Sequence, residues 1–169
     1  MSDLDDALKL PMIAVRVDLM LRGGTARSVE LFVAEHRARE YRRQLVTDLL
    51  TAPGAFVPVR MGGASGGIEL LSKAALVWVR VPQTGGEPPV EETADPSSPN
   101  VDLFDEVHSV RVDLAGAGAL HGDILYSAAI AGHRRVIDYL NQPGLLLRLW
   151  TTEHLYLVNK QFVDLVVEV

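Results

Sequence analysis

Val15, Val17 and Leu19 alternate with Arg16 and Asp18, the period of two expected of a half-buried strand. The same five letters return as Val110-Arg111-Val112-Asp113-Leu114. Ser28 to Ala34 and His121 to Tyr126 supply a second strand in each place. Val46, Leu49 and Leu50 then fall at i, i+3 and i+4, as do Val136, Tyr139 and Leu140, so each region carries one short amphipathic helix. Pro53-Gly54 and Pro143-Gly144 end these helices, and Asn141 tolerates the left-handed conformation that a helix terminus needs. Strands over Phe56–Arg60 and Leu145–Trp150 follow, with Pro58 confining the first to an edge or a bulge. Two further strands complete each unit.

The recurrence is ordered. Val46, Asp48, Leu50, Pro53 and Gly54 match Val136, Asp138, Leu140, Pro143 and Gly144, while Lys73 matches Lys160 ahead of the apolar runs Ala75–Val81 and Phe162–Val169. The offsets are 95 residues for the first strand (Val15 to Val110), 90 for the helix (Val46 to Val136) and 87 for the lysine (Lys73 to Lys160). They shrink in one direction, as loops of unequal length between equivalent elements require. The chain therefore reads as mainly β with short helices (α+β): two tandem small β-barrel units of the SH3-like or Sm-like kind, over residues 10–82 and 107–169, with both copies packed into one pseudo-symmetric β structure as the competing architecture.

The closing strands are apolar on both faces, which a strand with one solvated face would not be. Trp78, Val79 and Val81 in one copy, and Leu165, Val167 and Val169 in the other, are accordingly interface candidates. Their cover is either the other copy or a second chain, and units of this size gain much from such pairing.

Composition adds boundaries. With 48% apolar residues in 169, the chain can build a core. Cysteine is absent, which removes disulfide scaffolds, thiolate metal sites and cysteine nucleophiles. The net charge of −6 is concentrated: residues 83–108 hold no lysine or arginine but carry Glu87, Glu91, Glu92, Asp95, Asp102, Asp105 and Glu106. Pro88, Pro89, Pro96 and Pro99 share that stretch with Gly85, Gly86, Ser97 and Ser98. Residues 83–106 thus read as a disordered acidic linker. The acidic amino terminus lacks the character of a secretory signal, and a cytoplasmic location is expected.

Candidate chemistry is sparse. Gly63-Ala64-Ser65-Gly66-Gly67 has the letters of a serine-hydrolase elbow, but Ser65 sits between two strands with no helix following, as a glycine-rich hairpin loop would. Of the histidines (His36, His108, His121, His133, His154), His121 shares a strand face with Asp123, the one pairing with usable acid/base geometry. No metal site and no cofactor are expected. Arg37, Arg39, Tyr41, Arg42 and Arg43 form a basic stretch beside the first helix, suited to phosphates, RNA or a small anionic ligand. A solvated helix start, or docking of an acidic peptide, the linker included, is the favoured reading of the stretch.

Arg135 precedes Asp138 at ion-pair spacing on the second helix, while Leu45 takes the arginine's place in the first copy. Arg135-Val136-Ile137-Asp138-Tyr139-Leu140-Asn141, preceded by a strand with Gly122 and followed by an apolar strand, resembles a small bacterial β-domain family of uncharacterised function marked by R-x-x-D-x-L-N. The resemblance covers residues 110–169 and, more loosely, 15–81, where Leu45 and Thr51 depart from it. It implies no enzymatic activity and no catalytic residue. The function expected from the sequence is a non-catalytic adaptor or scaffold that binds protein partners and self-associates through β-sheet faces or edges. RNA or ligand binding through Arg37–Arg43 is the first rival, and a hydrolase centred on Ser65 or on His121 with Asp123 the second.

Overall fold

The computed structural model describes residues 12–34, 42–61, 66–82, 106–126 and 135–169. Strands β1 (Met12–Leu21) and β2 (Ala26–Ala34) lead to helix α1 (Arg42–Thr51), then β3 (Phe56–Met61), β4 (Ile68–Ser72), a 3-10 turn over Lys73–Ala75, and β5 (Leu76–Pro82). The second half repeats the order with β6 (Glu106–Leu114), β7 (Gly118–Tyr126), helix α2 (Val136–Leu140), β8 (Leu146–Trp150), β9 (His154–Asn159), a 3-10 turn over Lys160–Phe162, and β10 (Val163–Glu168). Strand β6 opens one residue inside the stretch assigned to the linker. The rest of that linker, residues 83–105, lies outside the described residues.

All ten strands belong to one antiparallel sheet in the order β10-β6-β7-β8-β9-β5-β1-β2-β3-β4. Among the described residues the sheet does not close: β10 and β4 are its two ends. A single sheet runs through both halves. Its middle is the pairing of β5 with β9, where Val79 faces Leu157 and Val81 faces Leu155.

Registers coincide between the halves. Val57 faces Leu71 in β3–β4 as Leu147 faces Val158 in β8–β9. Lys73 N–H donates to the Ala55 carbonyl (2.9 Å) as Lys160 N–H donates to that of Leu145 (2.9 Å). The first strands, however, align differently from their letters. Leu19 faces Val79 and Val112 faces Val166, with the same bulge one step further on, so Leu19 corresponds to Val112 and the offset is 93 residues rather than 95. The glycines of the first hairpins agree, since Gly23 (φ 70°) and Gly116 (φ 67°) are also 93 residues apart. A slip of two residues leaves every side chain on its original face, so alternation alone could not expose it.

Two other expectations are corrected. Asn141 is right-handed (φ −81°), and the left-handed positions are Gly54 (φ 111°) and Gly144 (φ 130°), where a side chain would be strained. Strand β3 is not an edge strand, because β4 lies outside it. Pro58 fits because β2 pairs with β3 only at Val59, Arg60 and Met61, so no donor from Pro58 is needed on that side.

Two cores result. Val15, Val17, Leu19, Val29, Leu31, Val57 and Val59 pack under Leu45, Val46 and Leu50 of α1. Val110, Val112, Ile124, Leu147 and Leu149 pack under Val136 of α2. The central strands serve both: Leu155 and Leu157 enter the first core while Val158 enters the second, and Val79 and Val81 enter the first while Val77 and Trp78 enter the second. This double duty is why β5 is apolar on both faces.

Candidate interaction surface

The central seam shows how one half grips the other. Trp150, Leu155 and Leu157 come from the second half yet are buried among the residues that surround α1, with Leu146 packed beside them. Trp78 crosses in the opposite direction and meets Tyr156 edge-on, with ring centroids 5.6 Å apart. Fully buried Asn159 donates from Nδ2 to the Leu76 carbonyl at 2.9 Å, while its Oδ1 accepts the Gln161 N–H at 3.0 Å.

A polar strip runs along one face of the seam. The Asp18 carboxylate accepts from the Ser28 hydroxyl and from Arg80 Nη2 (2.6 Å), and Arg80 faces Tyr156 of the second half across the seam. Those two donors, the hydroxyl first, hold the Asp18 carboxyl below its ordinary range against the opposing effect of burial. Lysines close the helices: Lys73 Nζ donates to Ala52 O (2.8 Å), and Lys160 Nζ to Leu140 O (3.0 Å) and Gln142 O (2.8 Å). Burial lowers the pKa of Lys160.

The interface candidates divide in two. Trp78, Val79 and Val81 are buried in the seam, covered by the other half of the same chain. On β10, Leu165 is 51% and Val169, just beyond the strand, 85% exposed, and Val167 is half-buried. Sequence reasoning missed the opposite end of the sheet, where Phe56 (60%), Ile68 (56%) and Leu70 (72%) stand open. Their alternation is weak over five residues, and only the strand order shows that β4 has no neighbour beyond it among the described residues.

A groove of about 420 Å³ runs between α2 and β10, lined by Val136, Ile137, Leu140, Val163, Val166 and Glu168 among others. Glu168 also reaches His108 Nδ1 at 3.0 Å. His108 in turn stacks on Tyr126, and Tyr126 on Tyr139. A second groove, about 380 Å³, opens at the end of the seam between Leu50–Ala55 and Gly144, Leu145 and Gln161.

A scan against family models, a search of curated proteins and a search of solved structures each return no match.

The other candidate residues are scattered. Ser65 lies outside the described residues, as do Arg37, Arg39 and Tyr41. Arg42 and Arg43 open α1, but their side chains fall outside the description too. His121 and Asp123 sit on β7 facing Arg111 and Ser109 of β6, and Asp123 accepts a 2.7 Å hydrogen bond from Ser109. Arg135 makes the expected ion pair, Nε to Asp138 Oδ2 at 3.2 Å. Among the described residues no three His, Asp or Glu side chains are grouped to hold a metal, and no helix is long and apolar enough to cross a membrane.

Proposed function

We propose that this chain is a non-catalytic assembly protein, an adaptor or scaffold that self-associates through its sheet edges and the apolar faces beside them. One observation carries the reading: an open sheet whose two end strands both present large apolar side chains, Ile68 and Leu70 at one end and Leu165 at the other. An unpaired strand offers a row of backbone donors and acceptors to another strand, and the apolar residues flanking it add burial on pairing. Each half, in this reading, is a five-stranded unit of the SH3-like or Sm-like kind. Protein partners would use the same edges. Light scattering on the eluting full chain tests the reading: species heavier than the 18.4 kDa monomer are expected, and a strict monomer at every concentration removes it.

A further inference from the structure

We infer that the partner of each free edge is a second copy of this chain, joined head to tail, with β4 of one copy pairing antiparallel with β10 of the next in the register that β9 and β5 use inside the chain. This deepens the assembly reading and rests on it.

The argument is a substitution of equivalents. Strand β9 occupies in the second half the place of β4 in the first, because both pair with the preceding strand in the same register. Strand β10 likewise occupies the place of β5, sharing the pairing partner and the bulge. The seam between β9 and β5 is therefore a built example of the joint that β4 and β10 could make, and among the described residues neither of those strands has it.

The seam specifies the contacts. Leu155 and Leu157 fill the space beside α1 and are fully buried. Their counterparts, 87 residues earlier (Lys160 to Lys73 sets the offset), are Ile68 and Leu70. Leu146, which packs on the same core, has Phe56 as counterpart, 90 residues earlier (Gly144 to Gly54). All three counterparts are large, apolar and exposed. The space that corresponds to the filled one beside α1 is the groove between α2 and β10. A protruding apolar set at one end of the sheet thus matches a largely apolar groove at the other, which Asp164 and Glu168 also line, and a contact between unlike surfaces propagates from copy to copy.

Transferring the seam register, in which Trp78 faces Val158 and Arg80 faces Tyr156, puts Leu165 opposite Leu71, Val166 opposite Leu70, Val167 opposite Glu69 and Glu168 opposite Ile68. Arg111, which faces Val167 on β6, then stands two strands from Glu69 on one face, with opposite charge. Two places are more polar than the seam: Glu69 stands for Tyr156 and Glu168 for Val81. The joint is accordingly weaker than the seam and reversible.

The test uses the full chain and two exposed-residue variants, Leu70→Lys on β4 and Leu165→Lys on β10, each checked for an unchanged circular dichroism spectrum and melting temperature. A lysine on either edge blocks that edge alone. Unmodified chain should form concentration-dependent oligomers, each variant by itself should raise the apparent dissociation constant about tenfold or more, a loss near 1.4 kcal/mol, and an equimolar mixture of the two should recover a one-to-one dimer through the remaining good edges. A second measurement does not depend on charge. Because the chain has no cysteine, Glu69→Cys mixed with Val167→Cys should give a crosslinked heterodimer on oxidation, and neither alone should. A monomeric unmodified chain overturns the inference and the assembly reading together. Oligomers that persist in both lysine variants, or a variant that still dimerises by itself, overturn the head-to-tail joint while leaving assembly standing. Crosslinking equal to the single-variant controls overturns the register.

Discussion

Leu157 and Leu70 hold the same position in the two halves, facing Arg148 and Pro58 respectively, yet Leu157 is fully buried and Leu70 is 72% exposed. The difference is the neighbouring strand, which Leu157 has and, among the described residues, Leu70 lacks. Leu157→Ala should therefore cost about 2–5 kcal/mol through lost burial and a residual cavity. Leu70→Ala should change the stability of the dilute chain by no more than about 0.5 kcal/mol. Urea unfolding of both variants at low protein concentration checks the pair, and equal costs would mean that the seam is not the tighter environment.

Asn159 ties the halves through a hydrogen bond that an apolar residue cannot replace. Its amide satisfies the Leu76 carbonyl at the start of β5, and its oxygen organises the turn at Lys160. Ser72, its counterpart, makes no side-chain cap bond. Asn159→Ala leaves buried backbone groups unpaired and should destabilise by about 1–3 kcal/mol, whereas Ser72→Ala should be close to neutral. Thermal melts of the two variants side by side separate a seam-specific role from a general requirement of the turn.

Much of the secondary structure was legible because period-two and helical patterns survive in both halves: Val15–Leu19, Val46–Leu50 and their later counterparts all fall in the elements expected of them. Letter identity misled in one place, aligning Val15 with Val110 when strand pairing aligns Val17 with it, since a shift of two preserves the inward face. The joining of the halves was legible only as a question. Apolar residues on both faces of β5 require a cover, but a sequence does not say whether Leu155 or a second chain provides it. The open edge at Ile68 and Leu70 carried no such sign, because an edge is defined by what fails to pair there.

Gly122 is required by proximity rather than by backbone conformation. A Cβ at that position would collide with the Trp150 carbonyl oxygen and press on Leu149, and β7 meets β8 at one paired position, Asp123 with Trp150. In the first half the counterpart is Val29, on a strand paired with β3 at three positions. Gly122→Ala should force β8 away from β7 and cost about 1–3 kcal/mol. Val29→Ala loses only burial and leaves its strand pairing intact. Amide hydrogen exchange distinguishes the two: β8 should lose protection in the first variant, and β3 should retain it in the second.

Asp18 predicts a pH dependence of known sign. Its carboxyl is held below the ordinary value of 3.8, chiefly by the Ser28 hydroxyl and then by Arg80. A carboxyl with a depressed folded-state pKa adds stability that is fully present above its unfolded value and disappears as pH falls through its folded value. Arg80 and Asp18 are each about one-third exposed, so screening limits the pair to on the order of 1 kcal/mol. Asp18→Asn should therefore destabilise the chain at pH 7 by about that amount, and the gap to the unmodified protein should close as pH falls below 3.8. Ser28→Ala should shrink the same gap, since it removes the leading cause of the depression. Melting temperatures across this range decide the matter: a gap that stays constant below pH 3.8 would mean that Asp18 acts through shape and not through charge.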